Sequence, residues 1–555
     1  MAASNVVAAV NQETGDAAGG PFEPCVWGDF FLTYTPPPSQ KRSEEWMRER
    51  RDQLKGEVCR MFEAGKAMTE ADTVALVDTL ERLGIDNHFR KEIDAALCRV
   101  HAEEQEPCDS SDLHIVALRF CLLRQHGFWA STDVFDKFRD GTGSFYEELS
   151  SDPRALLSLY NAAHMAAPGE AILDAAIAFA RRHLEAAKGR LRSPMAEQVS
   201  RALEIPRPRF MRQLETMHYI AEYEQEEAHD TVMLELARLN LNLVRNVHLK
   251  ELRAISLWWR NLGDEVKLSY FRDRIVEAYF YSFGVFQDEE SSRARMMFTK
   301  VFGWLILLDD TYDVHATFEE CQIFDEAIQR WDESVASCLP DYLRLFYIST
   351  LSIFSEMENS LEPYEKYRMA HVRKWCKLQS TYYFQEAKWV NEKYTPSFKE
   401  HRDVSAMSTG LPLLFFAALT GEGQVVTKEA FQWAVNMPDM LRANGEIGRF
   451  LNDIASYKLG KNKMDVASSV ECYMKEHGTT GEKAAAAITM IVEQAWRRIN
   501  RGFMEVDRTV LPAAQRLVDM TRMLEIYYLR GRDGLTFGRD LKELVAFLFL
   551  KDVPV

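Results

Sequence analysis

Val301-Phe-Gly-Trp-Leu-Ile-Leu-Leu308, followed at once by Asp309-Asp310-Thr311-Tyr312-Asp313, is the stretch on which the reading of this chain turns. Eight residues without a polar face predict a helix buried on all sides, because a surface helix needs only one apolar stripe. Three carboxylates then close it. On a helix, Asp309 and Asp313 share a face about one turn apart, with Asp310 beside them. Carboxylates at a helix C-terminus meet the negative end of the macrodipole and repel one another, so a cation is expected among them. Oxygen ligands gathered in this way suit Mg²⁺, which a few protein carboxylates commonly bridge to substrate phosphates. Thr317 to Glu320 has the form of a capping box, which starts a new helix and leaves the carboxylates at a break. The plainer alternative is a solvated acidic turn. Against it, Asp309-Asp310 is the only Asp-Asp pair in the chain and directly follows a buried apolar run.

At 555 residues the chain exceeds one ordinary core and predicts several domains. Glycine (27) and proline (18) are sparse, so turn chemistry for many short strands is lacking, and long punctuated helical periodicity predicts an all-α fold. A net charge of −17 argues against nucleic acid or an anionic membrane as the main partner, while leaving room for a local basic pocket. No single apolar run reaches membrane-spanning length. The nine cysteines are scattered, odd in number and without a CxxC pair, which suits reduced thiols. The first forty residues carry Glu13, Asp16, Glu23 and Asp29 but no Arg or Lys, the opposite of a transit peptide, so a cytosolic location is expected.

Residues 1–20 are small and polar and are expected to be disordered at their start. Helical patterns then alternate with breakers such as Gly84, Pro107, Pro153, Pro168-Gly169 and Pro194. The acidic run Glu222 to Asp230 is the best boundary, dividing the chain into 1–228 and 229–555. The second part holds the remaining chemistry. Arg272-Asp273-Arg274 offers planar donors for phosphate oxygens, although an R-x-R alone is most often a surface pair. In Arg449-Phe-Leu-Asn452-Asp453-Ile-Ala-Ser456, Arg449, Asn452 and Ser456 share a helix face with Asp453 alongside. Asn and Ser oxygens with one carboxylate can chelate Mg²⁺, and Arg449 can hold a ligand anion. Seen alone, the same residues read as an outward polar face.

With Arg272-Asp-Arg274, Asp309-Asp-x-x-Asp313 and Asn452-Asp-x-x-Ser456 in this order, the chain resembles the plant class I terpene synthases, and most of all the sesquiterpene synthases. Val26-Trp-Gly-Asp29, Leu118-Arg-Phe-Cys-Leu-Leu-Arg-Gln125, Ser158-Leu-Tyr-Asn-Ala-Ala163 and Val470-Glu-Cys-Tyr-Met474 extend the likeness over nearly the whole sequence. The resemblance implies a relictual N-terminal α-barrel (1–228) and a C-terminal class I α-bundle (229–555), with two metal motifs facing each other across a deep pocket. No D-x-D-D occurs, so the N-terminal domain is expected to be catalytically silent, and the second D-D-x-x-D of chain-elongating enzymes is also missing. Ala17-Ala18 stand where monoterpene synthases often carry paired arginines, which favours farnesyl diphosphate as substrate.

By the same resemblance, Asp309, Asp310, Asp313, Asn452, Asp453 and Ser456 would hold three Mg²⁺, with Mn²⁺ a possible substitute. Arg272, Arg274 and Arg449 would grip the diphosphate. Tyr281 and Tyr528 would line the pocket, their ring faces steadying a carbocation. Asp533, within the Arg530 to Gly538 loop, would belong to a closing lid. The break at Ser408-Thr-Gly410 would line the pocket. The implied reaction is ionisation of farnesyl diphosphate to a sesquiterpene hydrocarbon or alcohol plus diphosphate, by a monomer. The rivals are a geranyl diphosphate-using or dual-substrate enzyme and an impaired prenyl-diphosphate-binding protein.

Three departures from the family pattern matter. Gly460 stands where a Glu usually completes the second metal motif, and Lys461 follows it, so a raised Mg²⁺ requirement is expected. Tyr281 replaces a frequent Trp. Leu535 replaces a frequent lid Tyr.

Overall fold

The structure is a computed structural model, and it describes residues 23–36, 42–64, 68–102, 111–459 and 466–554. The expected disorder at the start of 1–20 and the readings of Pro107, Gly460 and Lys461 lie outside the described residues. Among those residues there is no β-strand, only an isolated bridge between Arg139 and Phe145, as an all-α chain requires.

Helix starts follow the sequence. The Thr317 hydroxyl accepts from Glu320 N–H at 3.2 Å, and the Glu320 carboxylate accepts from Thr317 N–H at 2.9 Å, the reciprocal pair predicted above. Ser468 and Glu471 repeat the arrangement. Each such cap contributes about 1 kcal/mol by satisfying donors that the first turn leaves open.

The chain divides into two compact units. One comprises 37–246, 497–508 and 552–555, and the other comprises 1–36, 247–496 and 509–551. This differs from a single cut at 228/229. The acidic run does separate helix Arg212–Tyr223 from helix Thr231–Val266. That second helix carries on without interruption, and the division falls inside it.

In the first unit the helices enclose a cavity of about 670 Å³ lined by Asp78, Arg82, Arg201, Arg207 and Glu215, among others. Its guanidiniums are matched by carboxylates: Arg82 lies 2.9 Å from Glu215, Arg201 lies 2.6 Å from Glu222, and Arg207 pairs with Asp78.

In the second unit, helix Ser292–Asp310 is central. Every residue from Val301 to Leu308 is buried, and Trp304, with no exposed surface, donates its indole N–H to Thr350 Oγ1 at 2.9 Å. Each large apolar side chain buried here contributes about 1.5–3 kcal/mol. Helices Ile275–Val285 and Leu411–Gly421 pack against it. The approach to the latter is close: a Cβ on Gly421 would lie 2.4 Å from Ala294 Cα.

The break foreseen near Ser408 is real. Gly410 takes φ +78° and ends helix Phe398–Ser408, with Pro412 in the first turn of the next helix. Taken as one segment, Phe398–Gly421 is long and apolar enough to cross a membrane, which corrects the reading that no such stretch exists. The apolar 18-residue window within it is 89% buried inside the protein, and the segment is broken at Gly410.

Candidate active site

Helix Ser292–Asp310 does not stop at its carboxylates. It continues into a π-helical turn, Thr311–His315, in which Ala316 N–H reaches back to Thr311 O at 2.9 Å. Single π turns concentrate at functional sites. Here the turn is held from outside. The Tyr270 ring stacks on His315 with centroids 4.0 Å apart, and its hydroxyl lies 3.0 Å from Thr311 Oγ1.

That contact brings Arg272 to the acidic helix end. Its backbone N–H donates to Asp310 Oδ2 at 2.6 Å, and its guanidinium pairs with Asp309 and lies 2.7 Å from Asp310 Oδ1. The cation expected beside the carboxylates is therefore Arg272. It is not enough. Burial, with Asp309 adding to it, holds the Asp310 carboxyl up at about 6 despite Arg272, and Oδ1 receives no aligned hydrogen bond. Asp313 is open to solvent yet walled by protein, as a group lining a cleft is. That crowding, then Asp309 and Glu386, pushes its carboxyl well above the ordinary carboxylate range. More negative charge is gathered than one guanidinium balances, a condition that a divalent cation relieves.

The second cluster lies on helix Asp439–Leu459. Arg449 donates to Ser405 O at 3.2 Å and to Ser408 Oγ at 3.0 Å, and lies 3.6 Å from Asp453 and 3.8 Å from Glu386. Ser408 donates onward to Glu386 at 2.7 Å, so the residues before the Gly410 break hold the arginine. Asp453 is buried and accepts from Ser469 N–H at 2.7 Å. Asn452 lies beside the Tyr528 hydroxyl, and Ser456 is partly exposed one turn further on.

Two residues join the clusters, and the sequence reading passed over both. Helix Tyr367–Asn391 supplies Glu386, which acts on Asp313 and on Arg449, and Tyr383, which stands beside Asp309 and Asp313. Burial raises the Glu386 carboxyl, and Arg449 opposes the rise. A signal was present, since Glu386 is a carboxylate set among Tyr383, Phe384 and Trp389 on a helix of mixed polarity. Without the fold it looks like any surface glutamate.

Of the three other predicted residues, Asp533 acts on Arg272 and Tyr528 at the site, whereas the hydrogen bonds of Arg274 and Tyr281 all go to backbone carbonyls. Arg274 is 1% exposed and donates to four backbone carbonyls, those of Asp273 (2.9 Å), Leu535 (2.9 Å), Glu23 (2.6 Å) and Thr536 (3.4 Å). Asp533 organises its own loop, accepting from Leu535 N–H at 2.9 Å and Thr536 Oγ1 at 2.6 Å. Tyr281 donates its hydroxyl to Met520 O at 2.7 Å, while its ring packs 5.1 Å from Tyr527 and 5.6 Å from Phe302. That hydroxyl is spent on the backbone.

Among the described residues, no three His, Cys, Asp or Glu side chains form a ready-made cage for an ion. Mg²⁺ seldom uses one, since it keeps waters and completes its shell with substrate phosphates. The carboxylate excess around Asp310 and Asp313, with hard amide and hydroxyl oxygens opposite, fits such a cation. Carboxylates and guanidiniums gathered in this way, Arg272 on Asp309 and Asp310 and Arg449 beside Glu386 and Asp453, suit a polyanion taken together with divalent ions.

Comparison with known proteins agrees. The family described as "Terpene synthase family, metal binding domain" matches residues 260–498, and "Terpene synthase, N-terminal domain" matches 26–203. A eudesmanediol synthase of Zea mays is 58% identical over all of both chains, and a tau-cadinol synthase of the same plant is 45% identical over 96% of this chain and 98% of its own. The structure of isoprene synthase from grey poplar leaves (Populus x canescens), in complex with three Mg²⁺ ions and dimethylallyl-S-thiolodiphosphate, superposes with a TM-score of 0.84. It is 29% identical and covers 96% of this chain and 100% of its own. The chain belongs to the terpene synthase family.

Proposed function

We propose that the protein is a sesquiterpene synthase that ionises farnesyl diphosphate and releases a cyclised hydrocarbon or alcohol with diphosphate. The observation that carries this reading is that Glu386 lies between Asp309 and Asp313 on one side and Arg449 (3.8 Å) and Asp453 on the other, with Tyr383 beside it. The names of the relatives, eudesmanediol and tau-cadinol synthase, support a fifteen-carbon substrate and an oxygenated product.

The fit for metal is chemical. Asp309, Asp310 and Asp313 on one side, with Asn452, Asp453 and Ser456 on the other, would hold Mg²⁺, or Mn²⁺ in its place. When bound, the ions supply positive charge against the oxygens of the departing diphosphate. Arg449, fixed by Ser405 and Ser408, is pre-aimed at the same anion, and Arg272 sits at the acidic mouth, where it can move from carboxylate to phosphate oxygen. The stacked and edge-on rings of Tyr281, Phe298, Phe302 and Tyr527 present faces and no free nucleophile. The loop carrying Asp533 would exclude water until the cascade ends.

The experiment is incubation of the purified protein with farnesyl diphosphate and Mg²⁺, followed by product identification. Volatile or extractable fifteen-carbon products that vanish in excess EDTA are expected. Products persisting in chelator, or turnover with geranyl diphosphate alone, would sink the reading. A single peak at monomer mass in light scattering is the expected solution state. The usual Glu ligand is replaced by Gly460, so Gly460→Glu is expected to lower the Mg²⁺ concentration for half-maximal rate, and an unchanged midpoint refutes that.

A further inference from the structure

Arg274 has almost no capacity left for a ligand. A guanidinium carries five N–H donors, and Arg274 uses Nε on Leu535 O, one terminal nitrogen on Asp273 O, and the other on Glu23 O and Thr536 O. Its side chain is buried, and none of its acceptors is a side-chain anion. The three segments it joins are far apart in sequence: the N-terminal segment at Glu23, the start of helix Ile275–Val285, and the loop organised by Asp533. Arg272, two residues earlier, is aimed instead at Asp309 and Asp310.

The joint is reinforced around Arg274. The Glu23 carboxylate pairs with Arg539 just beyond the loop, so Glu23 is held at both its carbonyl and its side chain. Gly534 N–H donates to Tyr527 O at 2.8 Å, and the Tyr527 hydroxyl donates to Glu277 O. Gly538 fits only because it lacks a side chain: a Cβ there would lie 2.8 Å from Glu277 Oε1 and 3.2 Å from Arg274 Nε.

From this geometry we propose that Arg274 is a positioning residue, a clasp that fastens the N-terminal segment and the 533–538 loop to each other, and that it does not bind the diphosphate. Arg272 and Arg449 alone supply the guanidiniums for that anion. The inference rests on the proposed reaction for its product readout but not for its binding readouts.

Four chains test it: wild type, Arg274→Gln, Gly538→Ala, which strains the joint from the loop side should Arg274→Gln fold poorly, and a chain lacking residues 1–24. Calorimetry with inorganic diphosphate and Mg²⁺ reads the ligand, and amide hydrogen exchange of peptides covering 23–36 and 529–540 reads the clasp. The expected result is diphosphate affinity changed less than about twofold in all variants. Exchange of the loop peptide should rise about tenfold in each, the size of losing one charge-assisted hydrogen bond. With farnesyl diphosphate, all three variants should divert product toward acyclic alcohols formed by early water capture, and combining the truncation with Arg274→Gln should add nothing further. A tenfold or greater loss of diphosphate affinity in Arg274→Gln, or loop exchange unchanged in it, overturns the proposal. Failure of wild type to turn over farnesyl diphosphate would instead refute the proposed reaction and leave both binding readouts valid.

Discussion

Asp313 illustrates how a side chain that is costly to the apo protein can be retained for chemistry. Crowding by protein, Asp309 and Glu386 lifts its carboxyl, so the ionised form is disfavoured until positive charge arrives. Asp313→Asn should therefore cut turnover by about 10²-fold or more, while leaving the melting temperature in EDTA unchanged or higher. A variant that lost both activity and thermal stability would mark Asp313 as structural. Glu277 makes a cleaner case because no metal is involved. It is fully buried, neither carboxylate oxygen receives a hydrogen bond, and burial raises its pKa from 4.5 to about 8, with Arg274 only partly opposing this. The folded state thus holds a proton that the unfolded state has released between those values. Stability present at low pH is lost as pH rises from about 4.5 toward 8, by an amount on the order of a few kcal/mol. Glu277→Gln removes that loss, so the gap in melting temperature between variant and wild type should widen from pH 5 to pH 8. A gap that stays constant across that range contradicts the buried, neutral Glu277.

Among the elements, the helices that carry the site are set by very short approaches. A Cβ on Gly445 would stand 2.3 Å from Ala406 O, so the Arg449 helix lies directly against the backbone of helix Phe398–Ser408. Gly445→Ala must push the two apart. It is expected to cost about 1–3 kcal/mol as overpacking and to displace Ser405 and Ser408 from Arg449, lowering turnover as well. Equilibrium unfolding and steady-state rates measure both, and a variant normal in each would remove the argument. This scale also separates what could be read in advance from what could not. The buried helix before Asp309, the capping box at Thr317 and the break at Gly410 were legible because each is local: a run without polar residues, a spaced Thr and Glu, a Gly before a Pro. The π turn at Thr311–His315 was not, since its hydrogen-bond shift depends on Tyr270 and His315 stacking from separate segments. Nor was the fate of Arg274. Spacing put it beside Arg272 as a phosphate ligand, and only the fold brings three distant carbonyls to it.

Over the whole molecule, sequence order and spatial grouping part company. Residues 497–508 pack within the unit formed by 37–246: Asn500 donates to His164 O and Ala166 O, both at 3.0 Å, and Arg508 donates to His126 O at 3.0 Å. In the other direction, Glu23 is fastened to Arg274 and Arg539. A fragment beginning at 229 therefore lacks part of its own unit, and should melt lower than a version of it supplied with residues 23–36 as a tethered segment. Equal melting temperatures would argue that the segment adds nothing. The crossing of segments also bears on synthesis. The unit formed by 37–246 cannot make its contacts with 497–508 until those residues have been synthesised, about 250 residues later. Exchanging halves between related enzymes by one crossover would leave each hybrid with a mismatched strip in both halves.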